Sequence, residues 1–253
     1  MKRLQDACPG LSRADCWAIA AVTTAQQLNG VGFTFDLEHV GRRDCSNGDA
    51  IGDVRDSVDQ PSASLTTDGL LDFFASEFGF DAQETVALMG AHTLGSLANG
   101  RTGFSGQWVT RPRVLDNEFF QLLTDGSGGA TTDYDQSNDG NDNGLFTWIR
   151  RAAENVTRRS KRLIMLNVDM ALVRDVSSHV VDQRTGEVSC ALSDQTTSAS
   201  PVCDIADQTF AQVAAYANDN QLWLEDFRDA LTKMLTNGYD TSSCVPGTLC
   251  VLP

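Results

Sequence analysis

The segment from Asp81 to Gly95 constrains this chain most, because it places one of only three histidines at the end of a helix. Asp81 and Glu84 form a D-x-x-E capping box, which predicts that a helix begins at Asp81. Gly95 is a natural C-terminal stop. The apolar face of this helix is expected to contain Val86 and Met89. His92 therefore falls in the last turn of the helix.

The residues beside His92 would let a flat ligand come close to its imidazole. Gly90 and Ala91, which precede it, have almost no side chain. From these residues alone, two interpretations stay open. His92 is either a metal ligand or a helix-terminal histidine that the helix dipole stabilises.

The size and charge of the chain exclude several classes of partner. Its 253 residues, 41% of them hydrophobic, are enough to bury a sizeable core, and we expect a single domain over residues 1–253. The net charge of −15 argues against nucleic acid and anionic membranes, because an acidic surface repels phosphate. A cationic protein partner or an uncharged substrate is compatible with this charge. No run of about 18 apolar residues is present, so we expect no membrane span.

The cysteines favour an oxidising compartment. The chain has seven: Cys8, Cys16, Cys45, Cys190, Cys203, Cys244 and Cys250. This number is high for a cytosolic domain, and the absence of a CxxC pair argues against zinc. Short loops could be closed by Cys190 with Cys203 and by Cys244 with Cys250, and Asn155-Val-Thr157 is a glycosylation sequon. We therefore favour secretion or another oxidising compartment.

Helical periodicity dominates the chain and predicts a mainly α fold with few short β pieces. Helices are predicted at residues 12–28, 67–79, 81–95, 116–123, 204–217 and 220–237. The first is expected to bury one face, formed by Ala14, Trp17, Ala18, Ala21, Ala25 and Leu28. Short strands are expected near residues 33–35 and 163–166.

Residues 124–162 are predicted to form a polar insertion, because residues 124–144 are polar and rich in glycine. Four side chains partly resemble a calcium loop: Asp133, Asp135, Ser137 and Asp139. The glycine is misplaced, however, and no glutamate closes the loop, so we expect a solvated surface segment. The basic residues at 150–151 and 158–162 are expected on an exposed helix face, where they balance the acidic loop.

A histidine that binds a metal needs an acceptor for its second nitrogen, and a buried carboxylate serves this purpose well. Asp169, which follows the apolar run at residues 163–166, is the best candidate in this sequence. An aspartate in that position could instead be a helix N-cap. Trp108 follows His92 in the chain, and a lone tryptophan is usually a core residue.

Three segments around these residues carry a family resemblance. They are Val86–Gly95 (VALMGAHTLG), Thr102–Trp108 (TGFSGQW) and Leu115–Phe120 (LDNEFF). In this order they resemble the haem peroxidases of the plant, fungal and bacterial superfamily. The likeness is strongest to class I, which includes cytochrome c peroxidase and ascorbate peroxidase.

Further segments extend the resemblance from about residue 8 to residue 240. They are Ala21–Gly30, Gly41–Asp44, Met165–Asp169, Tyr216–Asp219 and Phe227–Gly238. Among them, Met165–Asp169 (MLNVD) resembles the M-L-P-T-D segment of the family. The resemblance implies a haem-peroxidase-like helical fold that is incomplete at its N-terminus.

The resemblance also implies roles for the candidate residues. His92 would be the axial ligand of the iron in haem b (iron protoporphyrin IX), and Asp169 would accept its other N–H. Trp108 would lie against the imidazole as an electron-transfer relay, so Asp169 and Trp108 are the implied catalytic residues. An electron-donating axial ligand favours peroxide cleavage on the opposite face. The haem would be lined by Pro61, Gly95, Ser96, Leu97, Thr102 and Leu166, with Arg101 and Thr102 near the propionates.

One departure from the family concerns a structural cation beside the proximal tryptophan, which is potassium in ascorbate peroxidases and calcium in other classes. Thr93, Val114 and Asp116 match part of that shell. Val109 and Arg111 stand where oxygen ligands would be expected, and a guanidinium cannot bind a cation. We expect no structural calcium or potassium, with Arg111 supplying the positive charge.

The opposite face of the haem requires an arginine and a histidine in an R-x-x-[FW]-H motif, which this sequence lacks around His39, His92 and His179. In the family, these side chains move the peroxide proton and stabilise the developing charge. Residues 1–9 also lack the apolar core of a signal peptide. We expect the natural start to lie upstream of Met1, and the chain alone to have impaired activity.

The sequence therefore predicts a peroxidase that reduces hydrogen peroxide and takes single electrons from an unidentified donor. Two alternatives are a haem-binding pseudo-peroxidase and a fold that has lost haem. A third, non-enzymatic alternative is an extracellular binding module stapled by disulfides. The oligomeric state cannot be read from these residues.

Overall fold

The computed structural model describes residues 10–29, 32–35, 39–42, 44, 60–139, 141–151, 161–192, 201–242, 244 and 250–251. The chain separates into two compact units, residues 60–230 and a smaller unit formed by residues 1–59 with residues 231–253. The expectation of one domain over residues 1–253 stays a prediction. Outside the described residues lie Cys8, Cys45, the sequon at Asn155 and the basic pair Arg158–Arg159.

The described residues form a mainly α fold with few short strands, as the sequence predicts. The helices are α1 (Arg13–Leu28), α2 (Thr67–Phe78), α3 (Ala82–Met89), α4 (Asn99–Thr102), α5 (Glu118–Leu123), α6 (Asn167–Met170), α7 (Phe210–Asn218) and α8 (Asn220–Leu235). The strands are β1 (His39–Val40), β2 (Tyr134–Ser137), β3 (Thr147–Arg150), β4 (Ile164–Met165), β5 (Arg174–Asp175), β6 (Val180–Asp182), β7 (Glu187–Val188), β8 (Asp204–Ile205) and β9 (Cys250–Val251). Short 3₁₀ turns cover Gly90–Thr93, Asp142–Gly144 and Ser177–His179.

Side-chain caps start the helices that lead to the site. The Thr66 hydroxyl accepts a hydrogen bond from the Gly69 amide at the start of α2, and Gly79 ends that helix with φ +64°. Both halves of the capping box between Asp81 and Glu84 are present at α3, which confirms the predicted start of this helix. The lengths of these helices are therefore determined by local sequence.

The predicted polar insertion is partly wrong, because much of it is a sheet that contributes to the core. Strands β2, β3 and β4 form an antiparallel sheet in which Gln136 lies opposite Trp148, and Trp148 lies opposite Met165. Tyr134 and Trp148 are buried. The other three positions of β2 are polar and half-buried, so the strand lacks the apolar–polar alternation that would have revealed it in the sequence.

The described basic residues near this sheet do balance the acidic loop. Arg150 is in β3, so the predicted helix face is wrong there. The described ion pairs are Arg150–Asp133 at 3.5 Å, Arg151–Asp135 at 2.8 Å and Arg162–Asp139 at 2.9 Å.

The predicted buried face of α1 is also wrong in part. Trp17 is 53% exposed and Ala21 is exposed, while the helix buries Asp15, Cys16, Ala18, Val22 and Ala25. The reason is an ion pair, because the Asp15 carboxylate accepts hydrogen bonds from the Gly41 amide and from the Arg42 guanidinium. A buried carboxylate needs such partners, and this pairing turns the Asp15 side of the helix inward.

Three predicted elements differ in the structure. No strand forms at residues 33–35, because the amides of Phe33 and Phe35 donate to the side chains of Asn29 and Gln26. The helix predicted from Asp204 begins only at Phe210, since Asp204–Ile205 pairs as β8 with β5. The helix expected from Asp116 begins at Glu118.

Two disulfides join the cysteine pairs that the spacing suggested. Cys190 is bonded to Cys203 and Cys244 to Cys250, while Cys16 is buried. These bonds are compatible with an oxidising compartment. None of the described helices combines the length and apolarity that crossing a bilayer requires.

The core of the larger unit comes very close to Gly90, where α3 gives way to the 3₁₀ turn. A Cβ atom at this position would lie 2.5 Å from Trp223 Nε1 and 2.7 Å from Phe120 Cε2. Trp223 is held there, because it is fully buried and its indole N–H donates to the Ala87 carbonyl at 3.0 Å. Glycine is therefore needed for close packing two residues before His92.

We predict that Gly90→Ala lowers the free energy of unfolding by about 1–3 kcal/mol, because the new methyl group overpacks the core. Urea denaturation monitored by circular dichroism measures the change. Gly100→Ala is the matched control, since a Cβ there meets nothing within 4 Å. The control should change stability by less than about 0.5 kcal/mol. Equal effects of the two substitutions would contradict the prediction.

Candidate functional site

His92 lies in the 3₁₀ turn Gly90–Thr93 that continues α3. The turn ends with the Leu94 amide donating to the Ala91 carbonyl at 2.9 Å. Gly95 follows with φ +83°, a conformation that favours glycine, and its amide donates to the Pro112 carbonyl. The backbone on both sides of the imidazole is therefore fixed.

The imidazole of His92 is bound to a fully buried carboxylate. Its Nδ1 lies 2.6 Å from Asp169 Oδ1, and the side-chain exposure is 29% for His92 and 0% for Asp169. The other carboxylate oxygen, Oδ2, accepts the indole N–H of Trp108 and the Leu166 amide, both at 2.7 Å. Because the carboxylate accepts from its other two partners, the Nδ1–H of His92 is the donor to Oδ1. The lone pair of the imidazole is then on Nε2.

The contacts of Asp169 go beyond those of a helix N-cap, which was the alternative role for this aspartate. A local helix-capping role accounts only for the bond from the Leu166 amide. The bonds from His92 and Trp108 join Asp169 to residues 77 and 61 positions away in the chain. Asp169 is therefore the centre of a tertiary cluster rather than a simple cap.

Aromatic rings hold the His92 imidazole on two sides. The Trp108 indole is stacked on it, with ring centroids 4.1 Å apart and planes at 18°. Phe119 on α5 contacts it edge-on, at 5.9 Å and 86°. Trp108 is placed by its neighbour Gln107, whose amide and carbonyl bond to Arg162 and Ile164 beside β4. The imidazole cannot rotate without disturbing both rings.

A charged cluster lies beside this aromatic group. The Arg111 guanidinium lies 2.6 Å from Asp116 Oδ2 and 3.5 Å from Glu118 Oε2. The Thr93 hydroxyl, on the residue after His92, donates to Asp116 Oδ1 at 3.4 Å. Arg111 therefore places a positive charge beside Asp116, the carboxylate that the family resemblance assigned to the cation shell. The described residues contain no group of three or more His, Cys, Asp or Glu side chains that could hold a metal ion.

Glu118 is the best-satisfied carboxylate of this cluster. Burial raises the pKa of Glu118, but hydrogen bonds from the Thr110 hydroxyl and from the amides of Thr110 and Arg111 outweigh it. The positive charge of Arg111 acts in the same direction. The pKa of Glu118 is therefore lower than its ordinary value of 4.5.

The other residues that the resemblance assigned to haem binding flank this cluster in the chain. Gly95, Ser96, Arg101 and Thr102 are exposed, Pro61 and Leu97 are half-buried, and Leu166 is buried. Thr102 is bonded locally, with its hydroxyl donating to the Ala98 carbonyl and accepting from the Phe104 amide. The haem contacts of these residues stay predictions.

Sequence reasoning missed two residues of this site. Phe119 contacts the imidazole, although the LDNEFF segment that contains it carried the resemblance. Asn167 accepts the indole N–H of Trp148 and precedes Asp169 by two residues. The only signal for Asn167 in the sequence is that asparagine stands where M-L-P-T-D has proline.

We predict that Glu118→Gln lowers the free energy of unfolding by about 1–3 kcal/mol at pH 7, the range for a hydrogen-bonded charge. Because the folded-state pKa is depressed, the stabilisation is present above the ordinary value of 4.5 and disappears as the pH falls through the folded pKa. The variant should therefore differ from the wild type at pH 7 and approach it near pH 3. Urea denaturation across this pH range tests it, with the exposed Asp207→Asn as control. A difference that does not change with pH would contradict the assignment.

Comparisons with known proteins identify the family of this chain. The family model described as peroxidase matches residues 1–188. A putative heme-binding peroxidase of Cryptococcus neoformans is 28% identical over 94% of this chain and 54% of its own length. The mitochondrial cytochrome c peroxidases of Aspergillus fumigatus and Neurospora crassa are 28% and 29% identical, over 93% and 91% of this chain and 49% of their own lengths. The chain thus spans about half the length of the curated relatives it matches. Because the family model covers well over half of the chain, this protein belongs to the peroxidase family.

Proposed function

We propose that this chain is the haem-binding proximal part of a peroxidase that reduces hydrogen peroxide and oxidises a donor by single electrons. The observation that carries the proposal is the bonded cluster of His92, Asp169 and Trp108. Family membership supports the reaction class. The cluster supports the cofactor, because a core histidine needs neither a buried carboxylate nor a stacked indole.

The state of the His92 imidazole supports a haem group at this site. His92 Nε2 has no hydrogen-bond partner among the described residues, while Nδ1 is fully engaged. The His92 side chain is 29% exposed, which is compatible with a ligand on the imidazole. A metal-binding histidine normally donates its second N–H to a carboxylate or carbonyl, as His92 does to Asp169.

Each residue of the cluster has a distinct task in this proposal. A bound haem b would supply the iron redox chemistry that cleaves the peroxide O–O bond. His92 would hold the iron through Nε2, and Asp169 would keep the proton on Nδ1 and make Nε2 a stronger donor. Trp108, in contact with the imidazole, would pass electrons from a surface-bound donor. Leu166, which is buried, would help to exclude water from this side of the haem.

The electron donor is proposed only as a class. The relatives named cytochrome c peroxidase point to a cytochrome c as the donor. The net charge of −15 is compatible with a cationic partner, because opposite charges steer association. The disulfides, for their part, suit an oxidising compartment, which we propose as the location. An extracellular binding module would need the disulfides but not the His92 cluster.

We predict that haem reconstitution of this chain gives a Soret band and a five-coordinate ferric spectrum, and that His92→Ala loses both. The physical reason is that removal of the imidazole leaves no axial donor at this position. His179→Ala is the matched control, since this histidine lies in a separate 3₁₀ turn at Ser177–His179, and it should behave as the wild type. Optical titration with hemin measures all three proteins. If wild type and His92→Ala took up haem equally, His92 would not be the ligand.

We also predict that a polypeptide of these 253 residues oxidises a phenolic dye slowly with hydrogen peroxide. The R-x-x-[FW]-H motif does not occur in it, and general acid–base groups accelerate such steps by about 10²–10⁴-fold. A steady-state assay beside a complete peroxidase, both loaded with haem, should show at least about a hundredfold difference. Comparable turnover would mean that other residues of this chain perform the proton transfer.

A further inference from the structure

The helix that carries Asp169 is too short to be stable without tertiary contacts. Helix α6 spans only Asn167–Met170, and so short a helix is unstable unless other elements support it. On one side it is supported by two hydrogen bonds, from the Val168 amide to the Ala63 carbonyl and from the Thr67 side-chain hydroxyl to the Ala171 carbonyl. The direction of the Asp169 carboxylate depends on the conformation of the first turn of α6.

The Asn167 side chain ties this turn to the sheet β2–β3–β4. Its Oδ1 accepts the indole N–H of Trp148 at 2.7 Å and the amide of Gln136 at 3.4 Å. Asn167 is 2% exposed and Trp148 is 1% exposed, so no water competes for these bonds. Gln136 in turn donates to the Gly186 carbonyl and accepts from the Val188 amide. The first turn of α6 is thus attached to two strands and a hairpin.

Asparagine at position 167 lowers the stability of the fold in two ways. Its Nδ2 is buried and has no hydrogen-bond partner, and a buried donor without a partner is unfavourable. Asparagine is also a weak helix former. The acceptor oxygen is therefore the useful part of this side chain, and it faces Trp148.

Proline would suit the backbone at position 167. Leu166 has φ −77° and ψ 166°, the extended conformation that precedes a proline. Position 167 is the first of the helix, where proline is favoured, and the Asn167 amide donates no hydrogen bond among the described residues. The M-L-P-T-D segment that this region resembles has proline there. In this chain a hydrogen-bonded side chain replaces a covalent restriction.

We infer that Asn167 is a positioning residue for Asp169: its bond to Trp148 fixes the turn from which Asp169 reaches His92 and Trp108. The inference rests on the proposed function for its relevance to haem, and on described contacts for the geometry. Asn167 acts only through Asp169 and touches neither His92 nor a bound cofactor in this scheme. Loss of the bond between Asn167 and Trp148 should weaken the hydrogen bonds to Asp169 more than other hydrogen bonds of the same unit.

The test is hydrogen–deuterium exchange of tryptophan indole N–H groups, followed by ¹H–¹⁵N NMR on the full chain without haem. The Trp108 N–H reports the bond to Asp169, and the Trp223 N–H, bonded to the Ala87 carbonyl, reports the stability of the same unit elsewhere. In Asn167→Ala, the ratio of the Trp108 rate to the Trp223 rate should rise about tenfold, the effect of losing one buried hydrogen bond. Trp148→Phe removes the same bond from the other side and should raise this ratio similarly.

The double variant Asn167→Pro with Trp148→Phe separates positioning from mere stability. It removes the donor and the acceptor together and restores a rigid first turn, so the ratio should return to within about twofold of the wild type. An equal acceleration of Trp108 and Trp223 in both single variants would overturn the inference, and so would a double variant no better than Asn167→Ala. Because no haem is present, failure of wild-type haem binding would count against the proposed function and leave this measurement unaffected.

Discussion

The structure around the proposed site depends on one buried carboxylate, that of Asp169. Burying a carboxylate is unfavourable unless donors surround it, and this one accepts from His92, from Trp108 and from the Leu166 amide. The three donors come from separate stretches of the chain. The carboxylate therefore works as a junction: it orients the imidazole, holds the indole beside it and closes the first turn of α6. Any change that moves it alters all three.

The His92 imidazole has aromatic neighbours on one side and charged neighbours on another. On one side, Phe119 and Trp108 enclose the imidazole with apolar rings. On another, Arg111 is paired with Asp116 and Glu118, so a fixed positive charge lies among the acidic groups next to His92. Polar contacts specify geometry here because they are directional, while the aromatic contacts supply burial. A ligand that reaches Nε2 meets an already organised imidazole.

Local signals explain which parts of the fold could be predicted. The start of α3 follows from Asp81 and Glu84, because both halves of a capping box lie within four residues. Strand β2 was missed, since its partner β3 lies further along the chain and its own composition is polar. The exposure of Trp17 was missed for a related reason: the orientation of α1 follows from the tertiary pair of Asp15 and Arg42.

The sequence by itself determined the approximate positions of the longer helices and the candidate residues His92, Trp108 and Asp169, because caps, periodicity and ordered motifs are local. It left the disulfide connectivity open and only suggested the two short-range cysteine pairs. The family resemblance implied that these three side chains meet. Only the tertiary structure decided the hydrogen bonds that join them and the pairing of Arg111 with Asp116. It also decided that Asn167 supports the turn between them. The physical reason is that a hydrogen bond requires its two atoms within about 3 Å, and no pattern along the chain specifies which distant segments come that close.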